Sequence, residues 1–252
     1  MRPSPRDTRH GTLVLAAHGT RSAAGEAALA ELTTRVRRAR PGRRVELGFL
    51  EISSPALPGV LAEAQGPVVV VPLLLAGGYH VHIDLPTVVA SARPDAVIAA
   101  PLGPHPLLTA VLARRLASAG LRPTDTVVLG AAGSSDPAAL ADVRAAARLL
   151  SVRVARPVTA AFASAGSPSL AEVLTRLRRG PAPRVAVASY LLAPGHFHDR
   201  MAECGADLVT RPLGVEEEMA ALVWHRHDEA AAGVPVAGHA ATLLRTARVS
   251  SV

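Results

Sequence analysis

The chain contains its own pattern twice. Thr12-Leu-Val-Leu-Ala-Ala-His-Gly-Thr-Arg21 and Thr126-Val-Val-Leu-Gly-Ala-Ala-Gly-Ser-Ser135 are both apolar runs that end in a turn of small residues, 114 positions apart. Phe49–Leu57 recurs as Phe162–Leu170, Val70–Gly78 as Val187–Gly195, and Pro101–Leu108 as Pro212–Met219, in the same order. A duplication of this kind limits the architecture before any other feature is considered, because both copies must share one supersecondary pattern. Each copy has about 110 residues. The junction falls near Leu121–Asp125, where Gly120 ends one helical pattern and Pro123 precedes the next strand. We divide the chain into 1–122, 123–231 and a weakly ordered tail, 232–252.

Within one copy, strand and helix patterns alternate. Residues 12–17 read as a strand and 23–40 as a helix with Ala27, Ala28, Leu32 and Val36 on one side. A strand at 45–50 and a short helix from Pro55 to Ala64 follow. The unbroken apolar run 67–75 has the character of a parallel strand buried on both faces. A helix at 84–92, a strand at 96–100 and a helix at 106–119 complete the copy. The second copy places strands near 126–131, 156–162, 183–189 and 206–210. Four β-α units per copy predict an α/β fold of two tandem domains, flavodoxin- or Rossmann-like, each a small parallel four-stranded sheet with helices on both faces.

Composition narrows the function. The apolar stretch 68–76 contains Pro72 and is far shorter than the roughly 20 residues of a membrane span. The patch 13–17 is too short for a signal-peptide core, so a cytoplasmic protein is expected, with no membrane partner. Cys204 is the only cysteine, which excludes an intrachain disulfide and any metal site built on several thiolates. The net charge of +7 comes entirely from Arg, since lysine is absent. These arginines are dispersed and aromatic residues make up only 2%, an arrangement poorly suited to nucleic acid. An acidic small molecule remains a fitting partner.

Ligands of open parallel sheets bind beyond the carboxyl ends of the strands. In the first copy those ends carry His18-Gly19-Thr20-Arg21, Glu51, the loop Gly77-Gly78-Tyr79-His80-Val81-His82, and His105. Two or three imidazoles and a carboxylate at one rim suit a borderline divalent transition metal. His18 and His80 are the leading ligands and Glu51 the accompanying acid. Gly19, Gly77 and Gly78 let backbone approach a ligand closely, and Arg21 can grip an anion. Duller roles compete: His82 as a solvent-facing residue, His105 as a helix start, and His225 and His227 as surface residues about 200° apart on a helix. His196 and His198 occupy the second copy's third-strand loop. That copy has Ala132, Ser164 and Phe197 where the first has His18, Glu51 and His80. One reactive centre facing a more apolar wall is therefore expected.

The ordered set His18-Gly-Thr-Arg21, Phe49-Leu-Glu51…Pro55, Pro72-Leu-Leu-Leu-Ala-Gly-Gly-Tyr-His80…Asp84-Leu-Pro86 and Pro101-Leu-Gly103 resembles the class II tetrapyrrole chelatases, the CbiX-type sirohydrochlorin cobalt- and ferrochelatases. The resemblance implies two chelatase-like domains around a cleft, with the active site in 1–122 and a degenerate repeat opposite. It implies insertion of Fe2+, Co2+ or Ni2+, as substrate, into sirohydrochlorin or a related polycarboxylate tetrapyrrole, for sirohaem or cobalamin, with no organic cofactor. By analogy, His18 and His80 handle the metal with Glu51 beside them. Arg21, Gly19, Gly77, Gly78, Tyr79 and Phe197 would contact the macrocycle and its carboxylates. A non-catalytic metal or tetrapyrrole carrier and a two-lobed anion sensor are the competing readings. A monomer or homodimer is expected.

Overall fold

The computed structural model describes residues 11–180 and 184–233, so most of the expected tail lies outside the described residues. The first half runs β1 (Thr12–Ala17), α1 (Ala23–Ala39), β2 (Arg44–Phe49), α2 (Leu57–Glu63), β3 (Val68–Pro72), a π-helical segment (His80–Asp84), α3 (Leu85–Ala92), β4 (Val97–Ile98) and α4 (Pro106–Ser118). The second runs β5 (Thr126–Ala131), α5 (Pro137–Val154), β6 (Val158–Phe162), α6 (Leu170–Arg178), β7 (Val185–Tyr190), α7 (His196–Ala202), β8 (Leu208–Val209) and α8 (Glu217–Ala231).

Both sheets are wholly parallel, ordered β2-β1-β3-β4 and β6-β5-β7-β8. The expected α/β architecture is therefore the one observed. Its symmetry extends to irregular backbone, since Phe49 bridges Ala56 just as Phe162 bridges Ser169. The fourth strand of each sheet is only two residues long, shorter than the sequence suggested.

Alternate residues of the central strands feed different cores, as a pleated strand requires. Val14, Ala16, Val68 and Val70 pack under Leu57 and Leu61 of α2 and Leu85 and Val89 of α3. On the second sheet Val128, Val185 and Val187 pack under Leu170 and Val173 of α6 and Met201 of α7. The opposite faces of both sheets, through Leu13, Leu15, Val127 and Leu129, share a single core with α1, α4, α5 and α8. Four helices thus lie between the two sheets.

The last helix of each half packs against the other half. α4 packs on α5 and β7, and α8 packs on α1, β3 and β4. Trp224 of α8, 3% exposed, donates from Nε1 to the carbonyl of Val36 at 3.0 Å. Arg40 lies 4.5 Å from the Trp224 ring centroid and pairs with Asp228, and Arg226 Nε donates to the Pro101 carbonyl at 2.9 Å.

Local sequence accounts for the helix starts. Ser22 caps α1 through Gly25 N–H, Asp136 caps α5 ahead of Pro137, and Ser169 with Glu172 forms a reciprocal capping box on α6. The buried stripe of α1 is Gly25, Leu29, Leu32 and Val36, whereas Ala27 is exposed. The expected face was rotated, because the larger leucine side chains claim the core.

Candidate metal centre

The switch in strand order lies between β1 and β3, the usual place for a ligand in an open parallel sheet. His18 is the first residue beyond β1. Its carbonyl accepts the Glu51 amide at 2.9 Å, tying the end of β1 to the end of β2. Gly19 makes this approach possible: at φ 103° a Cβ would stand 2.0 Å from the Glu51 carbonyl oxygen. Only glycine fits there.

The segment read as a loop is helical. His80–Asp84 forms one π-helical turn closed by Leu85 N–H to the His80 carbonyl, and continues into α3. π turns are rare and concentrate at functional sites. This one sets His80 Nδ1 2.6 Å from Asp84 Oδ2. With the Nδ1 proton facing that carboxylate, Nε2 keeps the ring's lone pair, the tautomer usual for a metal-binding imidazole.

His18 meets this pair directly. Its ring centroid is 4.2 Å from that of His80, at an interplanar angle of 60°. Its Nδ1 is buried with no hydrogen-bond partner. A buried polar atom left so costs free energy unless something else engages it. Ligating atoms of Glu51, His80 and Asp84 lie within 4.8 Å of one another. The structure therefore assembles His18, His80 and Glu51 at one spot and adds Asp84. Asp84 was missed as a site residue, although its spacing from His80 is that of neighbours on one helix face. The signal was hidden by taking 77–82 as a loop.

Around this cluster the surface is unusually apolar. Tyr79 is 58% exposed and its ring edge meets His80 at 5.9 Å. Ile52 and Ile83 flank Glu51 and Asp84 in sequence and are also exposed. Phe197, exposed on the second lobe, follows the Pro194-Gly195 turn, which presses against Gly25, Thr20 and Ser22 of the first. Arg21, three residues after His18 and just ahead of α1, is exposed.

Gly77 and Gly78 lie at the contact between the lobes. Gly77 N–H donates to Asp142 Oδ2 at 2.8 Å, and a Cβ on Gly78 would stand 3.3 Å from Ala139. The Gly77 amide, expected at a substrate carboxylate, is thus engaged by Asp142 of α5. Tyr190 reinforces the same junction, its buried hydroxyl donating to the Leu75 carbonyl at 3.0 Å. Burial holds this phenol far above its ordinary titration range.

Four of the other described histidines have partners outside this cluster. His105 caps α4, accepting Leu107 N–H at 3.1 Å. Burial first, then the neighbouring Arg226, lowers its pKa below 6.5. His82 and His196 are exposed, while His198 Nε2 lies 3.2 Å from the Thr210 carbonyl. His225 is exposed and pairs with Glu229. His227, expected at the surface, is only 8% exposed and packs edge-on against Trp224. The helix exchange buries it.

The CbiX family model matches residues 12–119 and 126–230, one match per repeat. The chain belongs to the CbiX family. Its fold is shared by SirB from Bacillus subtilis with Fe3+, at a TM-score of 0.75 and 24% identity over 89% of this chain and 96% of that one. SirB from Bacillus subtilis subspecies spizizenii in complex with cobalt gives a TM-score of 0.73 at 23% identity, over 89% and 97%. CbiX described as the terminal enzyme for biosynthesis of siroheme in denitrifying bacteria gives 0.67 at 23%, over 87% and 99%. No curated protein matches the chain. Among the described residues of this CbiX-family chain, no helix is long and apolar enough to cross a membrane.

Proposed function

We propose that this chain is a sirohydrochlorin chelatase, inserting a divalent metal, Fe2+ or Co2+, into the macrocycle with release of two protons. The observation that carries the reading is the convergence of His18, His80, Glu51 and Asp84. Membership of the CbiX family supports it. So do the Fe3+ and cobalt in the SirB structures that share the fold.

The residues suit each part of the task. Imidazole nitrogen and carboxylate oxygen are fitting donors for a borderline cation, which would be bound here as substrate. His80 Nε2 and the orphaned His18 Nδ1 supply lone pairs, and the carboxylates of Glu51 and Asp84 offset the positive charge. Insertion exchanges one dication for two pyrrole protons, so the macrocycle keeps its overall charge. Glu51 is exposed beside the imidazoles and can take up a departing proton and pass it to water. A partly exposed site releases its ion, whereas a closed four-ligand site would retain it.

The apolar side chains Tyr79 and Phe197 would contact the macrocycle from the two lobes. Arg21 would bind a rim carboxylate through paired hydrogen bonds, with Gly19 keeping backbone close. Placement in the cytoplasm, in sirohaem or cobalamin synthesis, belongs to the same reading.

The test is to mix anaerobic protein with sirohydrochlorin and Co2+ or Fe2+ and follow the macrocycle absorption. Turnover beyond one equivalent supports the enzyme. Stoichiometric binding without turnover makes the protein a carrier, and a rate equal to the uncatalysed one makes it a sensor.

A further inference from the structure

Under the repeat, Glu51-Ile-Ser53 corresponds to Ser164-Ala-Gly166, yet the two loops differ in their backbones. In the second lobe the positive φ falls on Gly166, at 117°, where glycine accommodates it. In the first it falls one position earlier, on Ile52, at 66°. A β-branched residue there is a true outlier and carries strain. Ser53 N–H reaches back to the Glu51 carbonyl at 2.6 Å. An i to i+2 bond across a positive φ is the strained form of the γ-turn.

The neighbouring hydrogen bonds shift accordingly. In the second lobe, Ser134 N–H donates to the Ala165 carbonyl and that carbonyl closes on Gly133. In the first lobe the carbonyl closing on Gly19 is that of Glu51, one residue earlier. Thr20 N–H turns instead to Ser53 Oγ at 3.0 Å, and that hydroxyl donates to the Thr20 carbonyl at 3.0 Å. Gly166 has no side chain with which to do this. The strained turn and the serine clasp occur together, in the lobe that carries the carboxylate.

We propose that Ser53 is a positioning residue: its clasp on Thr20 holds the strained Ile52 turn so that the Glu51 carboxylate is aimed at His80 and Asp84. This rests on the reading of Glu51 as a metal-handling group. Relaxed to the second lobe's form, the loop would return the carbonyl of residue 52 to Gly19 and turn the Glu51 peptide. The carboxylate would then leave the cluster.

Full-length protein and Co2+ alone, without tetrapyrrole, provide the test, by titrating visible absorption and by calorimetry with Tm measured in parallel. Glu51→Gln sets the reference loss. Ser53→Ala is expected to weaken Co2+ binding about tenfold, as loss of a group supporting a metal ligand usually does. Ser53→Thr restores it, and Ser164→Ala in the second lobe leaves it unchanged. Ile52→Gly keeps Co2+ binding while the Tm holds or rises, because glycine adopts the positive φ of residue 52 without strain. If Glu51→Gln weakens binding but Ser53→Ala does not, the positioning role is overturned and the metal-handling reading stands. If Glu51→Gln is silent, both are overturned. A fall in Tm for Ile52→Gly also overturns the proposal, since the turn would then be an ordinary stabilising one.

Discussion

His80 Nδ1 and Asp84 Oδ2 are 2.6 Å apart because a single π-helical turn places them on one face. The carboxylate fixes the tautomer and orientation of the imidazole, so that Nε2 is the free nitrogen.

Removing the Asp84 carboxylate therefore acts through His80. Asp84→Asn is expected to lower the insertion rate about 10- to 100-fold, the range for lost supporting groups at metal sites. Stopped-flow absorption with sirohydrochlorin and Co2+ measures it. A rate equal to wild type would separate Asp84 from the chemistry.

His18 carries an unpaired buried nitrogen, and such an atom costs about 1–3 kcal/mol. His18→Leu should raise the Tm while abolishing most of the insertion rate, whereas the exposed His225→Ala should change neither. A Tm scan and a turnover assay on the same preparations check both halves.

The His105 cap gives a dependence on pH. Its Nδ1 accepts the Leu107 amide only when unprotonated, and burial with Arg226 lowers its pKa from 6.5. Below pH 6.5 the unfolded chain therefore binds more protons than the folded one at this group, so its stabilisation is full above 6.5 and is lost as pH falls. His105→Asn keeps a capping acceptor without the titration. In urea melts the stability of wild type relative to this variant should fall as the pH is taken below 6.5.

Tyr190 joins the second lobe to the segment that leads to His80. Tyr190→Phe leaves the Leu75 carbonyl without its partner and should cost about 1 kcal/mol in a chemical melt. The same change should slow insertion several-fold through displacement of that segment.

Much of this was legible in the sequence. The strands β1 and β3 were plain because unbroken Val and Leu runs suit only a sheet buried on both faces. His18, Glu51 and His80 were legible because strand ends are where such a sheet presents its chemistry. The π turn was not. Gly77 and Gly78 signal a loop, and Val81 and Ile83 weaken any helical reading, so the relation of His80 to Asp84 escaped notice. The Ile52 turn was equally hidden, since nothing local announces a positive φ at isoleucine. His227 and the crossing of α4 and α8 depend on contacts between distant segments. An amphipathic pattern tells that a helix has a buried face, but not which sheet covers it.

That crossing has a consequence for how the chain can be divided. A cut in the connection between Ser118 and Thr126 would leave each piece with its own sheet and a terminal helix suited only to its counterpart. Neither fragment is expected to be soluble alone, and the two should reassociate when co-expressed. By the same logic, a half-length chain with this helix placement would have to pair with a second copy of itself, and a fusion of two such chains would make that partnership permanent.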